Sequence, residues 1–247
     1  MKRAWIVGGS SGIGAALVER LAASGWDVAV SARNTEALDK LVQRSQGTVL
    51  PVPLDVTEPE AVDEAFDRIE NKFGPLSHCF LNAATYAPMD VNEFAIDRFR
   101  AAMEVNFMGV VHGLNAVLPA MRQRGSGQVL ITASVAGYRG LPHAAPYNAT
   151  KAALISLAES LRPELAQEGV MIRVINPGFV ETPLTEKNEF EMPALITPQQ
   201  AAKATITRLS DPGFAIAFPR RFGWAMTLPR QLPYPLFFAL TRRMVRA

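Results

Sequence analysis

Short apolar, β-branched runs and longer stretches of helical spacing alternate from Arg3 to Phe218. The runs Arg3–Val7, Asp27–Ala32, Thr48–Pro53, Ser77–Leu81, Gln128–Ala133 and Met171–Asn176 are punctuated by Gly, Pro, Asn or Asp, which marks them as strands. Between and after them, Gly12–Ser24, Thr35–Arg44, Pro59–Phe73, Asn92–Arg122, Ala145–Gln167 and Pro198–Ser210 repeat apolar residues at helical spacing, and Phe214–Phe218 reads as a last strand. Several strands are apolar at successive positions, as a strand covered on both faces must be. The pattern predicts an α/β fold, one doubly wound parallel sheet with helices on both faces and its ligand at the carboxyl ends of the strands. Residues 1–218 are expected to form that domain. Residues 219–247 fall outside the alternation, and no internal repeat is visible.

Composition narrows the class. With 247 residues, 49% hydrophobic and 19% charged, the chain has the profile of a globular protein with a full core. One cysteine, Cys79, leaves no intramolecular disulfide, and three scattered histidines leave no metal-ligand spacing. The apolar run after Met1-Lys2-Arg3 breaks at Gly8 after four residues, too short for a secretory leader. The longest stretch free of charge, Val105–Met121, carries polar and helix-breaking residues, so no membrane span is expected and a cytoplasmic location is. The net charge of +2 divides unevenly: residues 219–247 hold six arginines and no acid, while the preceding 218 residues sum to −4.

Directly after the first strand comes Gly8-Gly9-Ser10-Ser11-Gly12-Ile13-Gly14, with a helix starting at the last glycines. Glycines there allow a tight turn and close approach of a pyrophosphate to free N–H groups at a helix start. Gly8, Ser10, Ser11, Gly12, Ile13 and Gly14 are therefore the candidate phosphate cradle of a dinucleotide. At the end of the second strand, Val30-Ser31-Ala32-Arg33-Asn34 has no acid to bind a ribose 2′-hydroxyl, whereas Arg33 can pair with a 2′-phosphate. The expected cofactor is NADP(H) in preference to NAD(H). Further along, Tyr147 and Lys151 stand one helical turn apart at the start of Ala145–Gln167, and Ser134 follows a strand 13 residues before the tyrosine. A lysine cation near a phenol lowers its pKa toward useful acid–base chemistry, and a strand-end hydroxyl can hold a carbonyl oxygen.

These motifs, in this order, resemble those of the short-chain dehydrogenase/reductase family over residues 3 to about 218, which implies a Rossmann-like domain. The glycine turn matches except that Val7 replaces the family's threonine, and Leu81-Asn82-Ala83-Ala84 half-matches its Asn-Asn-Ala-Gly. The segments Ile131–Gly137, Tyr147–Ala153 and Asn176–Thr182 resemble its active-site strand, active-site helix and nicotinamide segment. The resemblance implies a tetrad of Asn106, Ser134, Tyr147 and Lys151. Tyr147 would exchange the proton, Ser134 orient the oxygen, Lys151 bind the nicotinamide ribose and lower the tyrosine pKa, and Asn106 hold a water linking the lysine to solvent. It further implies that Asp55 and Val56 meet the adenine, that Asn82 braces the sheet, and that Pro177, Gly178, Val180 and Thr182 lie beside the nicotinamide.

The substrate expected from Tyr138, Leu141, Leu184, Phe190, Met192 and Leu195, in the two loops that set specificity in the resembled family, is an apolar carbonyl compound or secondary alcohol. The competing function is a non-catalytic dinucleotide-binding redox sensor or scaffold, against which both Tyr147 and Lys151 speak. A nucleic-acid partner is not expected. The resemblance implies a homodimer or homotetramer through Asn92–Arg122 and Ala145–Gln167. The basic, aromatic tail suits either peripheral contact with anionic lipid or packing on its own domain or a second subunit. His78, His112, His143 and Cys79 read as structural or surface residues.

Overall fold

The computed structural model describes residues 2–188 and 190–245. Seven strands form one parallel sheet: β1 (Arg3–Val7), β2 (Asp27–Ser31), β3 (Val49–Pro51), β4 (His78–Leu81), β5 (Gly127–Thr132), β6 (Val170–Pro177) and β7 (Ala215–Phe218), in the order β3-β2-β1-β4-β5-β6-β7. The pairing runs Val7 against Ser31 on one side of β1 and against Leu81 on the other. The chain thus reverses its direction of travel across the sheet between β1 and β4, where the loops diverge and a crevice opens above the strand ends.

The alternation of side chains along each strand feeds two cores. Ala4, Ile6, Val28, Val30, Phe80 and Leu130 pack under α1 (Gly12–Ala23), α2 (Thr35–Arg44) and α7 (Pro198–Thr207). Trp5, Val7, Cys79, Leu81, Val129 and Ile131 pack under α3 (Pro59–Phe73), α5 (Gly109–Gln123) and α6 (Ala145–Gln167). Cys79 is a core residue and its thiol is pushed far up by burial. His78 is likewise structural: burial lowers it to about 4, with the Lys2 charge adding to the effect and Trp26 standing edge-on to its ring.

The expected single helix Asn92–Arg122 is not one regular helix. A 3₁₀ turn at Val91–Glu93, capped by Asp90, precedes α4 (Ile96–Met103), a π-helical turn at Glu104–Met108, and then α5. Helical periodicity survives a single wide turn almost unchanged, so the sequence pattern does not betray it. The continuous stretch Ile96–Gln123 is long and apolar enough to cross a bilayer, but Val110, Leu114, Val117 and Met121 face the core.

Beyond β7, residues expected outside the alternation form α8 (Arg220–Ala225), α9 (Leu228–Gln231) and α10 (Tyr234–Val245). They lie against the sheet's β7 edge and the loop after β5. Gly223 is buried against Ala217, and Phe222 packs at a tilt against Phe179 with ring centroids 5.8 Å apart.

Candidate active site

The carboxyl ends of β1, β4, β5 and β6 border a cleft of about 790 Å³. Its floor at one end is the glycine turn. Gly8 has φ 85° and Gly12 φ 53°, both in the left-handed region, and a Cβ on Gly8 would lie 2.5 Å from the Ala83 backbone. Gly14 does not line the cleft; a Cβ there would sit 2.2 Å from the Gly8 carbonyl, so this glycine lets α1 close onto β1. Ser11 caps α1 without a side-chain hydrogen bond, which leaves the first N–H groups of the helix open toward the cleft among the described residues. Gly8, Ser10, Ser11, Gly12 and Ile13 all line it. That open row of donors on a turn too tight for side chains fits the pyrophosphate of a dinucleotide.

The same end of the cleft carries Arg33 and Asp55. The guanidinium lies 3.9 Å from the Asp55 carboxylate and is largely exposed, while the other Asp55 oxygen accepts from the Thr57 N–H at 3.0 Å and its hydroxyl at 2.9 Å. Ser31 also borders this end with its polar groups already occupied: its hydroxyl accepts from the Trp5 indole at 2.9 Å, and its carbonyl accepts from the Gly8 and Gly9 N–H groups. Val56 packs on Gly109 and lines the wall. Asn82 donates to the Gly8 carbonyl at 2.8 Å and accepts from the Thr132 hydroxyl at 3.0 Å, tying the ends of β1, β4 and β5 together.

At the other end, Ser134, Tyr147 and Lys151 converge. Lys151 is fully buried, and its ammonium donates to the Thr132 carbonyl at 2.7 Å while lying 5.4 Å from the Tyr147 ring centre. Burial lowers it to about 7. The Tyr147 phenol moves the opposite way, raised by burial to about 12 against the opposing effect of the Ser134 hydroxyl. Burial is the largest cause of both shifts and acts on them in opposite senses, because it favours the neutral form of each group.

Asn106 lies outside the cleft lining, within the π-helical turn. Its side-chain oxygen accepts from the Thr85 N–H at 2.6 Å, and its amide donates to the Thr85 carbonyl at 3.0 Å and the Thr150 hydroxyl at 3.2 Å. The side chain is a clasp on the irregular segment that leaves β4. Pro177, Gly178, Val180 and Thr182 line the wall opposite, held by a parallel bridge from Val180 to Ile196 and by Phe218, whose carbonyl accepts from the Gly178 N–H at 2.8 Å.

Of the residues expected to line the substrate end, Leu184 does. Tyr138 does not: its hydroxyl accepts from Asn176 at 3.0 Å, which turns the ring toward α8 and a separate concavity. Phe190 packs edge-on against Phe179 with centroids 5.7 Å apart. His143 pairs with Asp90 at 3.4 Å outside the cleft, and His112 bonds the Val56 carbonyl at 2.9 Å. Tyr86, unforeseen in the sequence, stands edge-on to Tyr147 at 5.1 Å and donates to Asn188 at 3.1 Å. Its only sequence signal is its position a few residues after Asn82.

The family model described as short chain dehydrogenase matches residues 2–192. An uncharacterized oxidoreductase of Myxococcus xanthus is 34% identical over 246 residues, covering 98% of this chain and 97% of its own length. Another, from Staphylococcus saprophyticus, is 33% identical over 215 residues, covering 85% and 92%. Among solved structures, a short chain dehydrogenase/reductase from Burkholderia phymatum in complex with NAD superposes with a TM-score of 0.85 at 25% identity, over 93% of both chains. An alcohol dehydrogenase from Thermococcus sibiricus complexed with 5-hydroxy-NADP gives 0.78 at 28% identity, over 88% of this chain and 94% of that one.

Proposed function

The chain belongs to the short-chain dehydrogenase/reductase family, and from that premise we propose an NADP(H)-dependent oxidoreductase that interconverts an apolar carbonyl compound and its secondary alcohol. The observation that carries this reading is the convergence of Ser134, Tyr147 and Lys151 at one end of a cleft whose other end is a glycine turn with open helix N–H groups. A bound nicotinamide dinucleotide supplies the hydride donor or acceptor. The pyrophosphate would rest on residues 8–14, the adenosine between Val56 and Arg33, and the nicotinamide half beside Lys151, Pro177, Gly178, Val180 and Thr182.

In the reductive direction, Ser134 and Tyr147 hydrogen-bond the substrate carbonyl oxygen, and the Tyr147 hydroxyl gives its proton to that oxygen as the carbonyl carbon is reduced. A phenol raised to about 12 is held protonated at neutral pH, the state that this step needs. In the oxidative direction the tyrosine must first lose its proton, and a charged Lys151 beside the ring favours that loss. Asn106, bonded to Thr85 and Thr150, holds the turn on which these groups rest.

Support for NADP(H) is the exposed Arg33 guanidinium at the end of β2, with no acid in residues 30–34. Relatives of this fold are seen with either nucleotide, NAD in one and an NADP derivative in another. The apolar substrate reading rests on Leu184, Val105 and Ala84 in the cleft wall. Assembly through α4, α5 and α6 into a dimer or tetramer belongs to the same proposal.

The test follows loss of reduced-nicotinamide absorbance with NADPH and with NADH against apolar ketones and aldehydes of increasing chain length. Turnover with NADPH that improves with chain length, and a preference that collapses in Arg33→Ala, is the expected result. Tight nucleotide binding without turnover in either direction would replace the enzyme with the sensor reading.

A further inference from the structure

The C-terminal helices leave apolar surface uncovered although they are docked on the body. Among the described residues, eight exposed large apolar side chains fall between Trp224 and Val245. Trp224 is the most open at 71%, and Leu228, Leu236, Phe238 and Leu240 are each about half exposed or more. Buried Phe237 and Thr241 mark the strip of α10 that faces the protein. On a helical wheel that strip is the centre of an apolar arc wider than what the body covers. Leu236 and Leu240 flank it on one side and Phe238 on the other, with Arg243 and Arg242 bordering the two flanks.

The charge that the segment itself carries has one sign. Residues 219–247 carry no acid, and the Arg230 guanidinium has its carboxylate 3.7 Å away on Glu159, outside the segment. A concavity of about 600 Å³ opens between α8 and β7, lined by Arg208, Arg220 and Arg221 together with Tyr138 and Trp224. Arg208 is paired with Asp211 at 3.1 Å, and no hydrogen bond or ion pair to protein is found for Arg220 or Arg221 among the described residues. Pairing of two copies through this face would set arginines against arginines, because a two-fold interface meets itself. An anionic bilayer meets the same face with opposite charge, accepts tryptophan at its headgroup level, and lets long arginine stems carry their charge to the phosphates.

We propose that α8, α9 and α10 form a docking surface for an anionic lipid bilayer, with Trp224 and the flanks of α10 entering the interface and Arg220, Arg221, Arg242 and Arg243 meeting lipid phosphates. The surface adjoins the mouth of the cleft, since Phe222 packs on Phe179 and a Cβ on Gly178 would lie 2.7 Å from its ring.

The full chain is mixed with vesicles of phosphatidylcholine alone or of an equimolar mixture with phosphatidylglycerol, and flotation is read without nucleotide or substrate. The protein is expected to float with the anionic vesicles alone, and to be released at roughly 1 M salt, where the screening length falls to about 3 Å. Trp5 and Trp26 are buried, so a shift of emission to shorter wavelength on binding reports Trp224. Arg242→Gln and Arg243→Gln should each lower partitioning about five-fold. Both lie on the surface and should leave the circular dichroism spectrum unchanged. Absence of flotation at low salt would overturn the proposal. So would a dimer in sedimentation that dissociates in the double variant Phe238→Ser, Leu240→Ser, which would make this face a contact between copies.

Discussion

Tyr147 and Lys151 share a desolvated corner, and burial drives the two groups apart, the phenol up to about 12 and the ammonium down to about 7. If Tyr147 passes the proton, Tyr147→Phe should reduce turnover by roughly 10²-fold or more while nucleotide affinity, measured by fluorescence titration, stays nearly constant. Full activity in that variant would remove the tyrosine from the mechanism. Lys151 offers a second readout without substrate. Its pKa in the folded protein is about 7 against 10.5 for an ordinary lysine, so across that window the unfolded chain binds more protons than the folded one. Stability of the nucleotide-free protein therefore rises with pH through the window, by up to about 1.4 kcal/mol per pH unit from this group. Below about 7 the penalty of a buried cation is present in full. Lys151→Met should accordingly be more stable than the parent at pH 7, with the advantage shrinking toward pH 10, before the raised Tyr147 titration enters with the opposite sign. Urea titrations of both proteins across that range measure the difference.

At the scale of elements, what was legible depended on whether the signal was local. Ala145–Gln167 and Pro59–Phe73 match the sequence reading end to end, because a proline in the first turn opens each helix and polar or glycine residues close it. The glycine turn and the Tyr147–Lys151 pair were legible for the same reason: their chemistry is set by spacing within a few residues. The wide turn at Glu104–Met108 was not, since it is stabilised by Asn106 reaching Thr85, 21 residues away. Tyr86 against Tyr147, and Tyr138 turned toward Asn176, likewise depend on partners that only folding brings near. The clasp has a measurable consequence. Asn106→Ala strips half-buried Thr85 of partners for both its N–H and its carbonyl, at about 0.5–1.5 kcal/mol for each hydrogen bond lost. Since Thr85 adjoins Tyr86 and lines the cleft, kcat should fall together with stability, whereas nucleotide affinity, which the proposed function assigns to the distant glycine turn, should change little. A loss of nucleotide binding equal to the loss of turnover would mean that Asn106 acts on the whole cleft rather than on its catalytic end.

Across the whole molecule, the tail and the catalytic loop are joined through one residue. Arg139 lies between Ser134 and Tyr147 in sequence, and its guanidinium donates to the Pro229 carbonyl at 3.1 Å and to the Leu232 carbonyl. The rings of Tyr234 and Phe237 stand 4.8 and 4.6 Å from it, so one cation holds α9 and α10 by two hydrogen bonds and two faces of π-electrons. Cation–π contacts at partly desolvated positions contribute about 0.5–2 kcal/mol each, and the hydrogen bonds contribute more because the donor is charged. The opposite side of the tail is held by Phe222 against Phe179 and Gly178, beside the cleft wall that carries Pro177 and Val180. Arg139→Ala should therefore release α9 and α10 while β7 and α8 stay in place. Limited proteolysis is expected to nick residues 226–234 several-fold faster than in the parent, with KM for a bulky apolar substrate rising more than kcat falls. Arg139→Lys keeps the charge but loses the planar fork that reaches both carbonyls, so it should restore only part of the protection. If the tail stays equally protected in the alanine variant, its attachment resides in Phe222 and Phe237 packing instead, and Phe237→Ser, at about 1.5–3 kcal/mol of lost burial, becomes the substitution that detaches it.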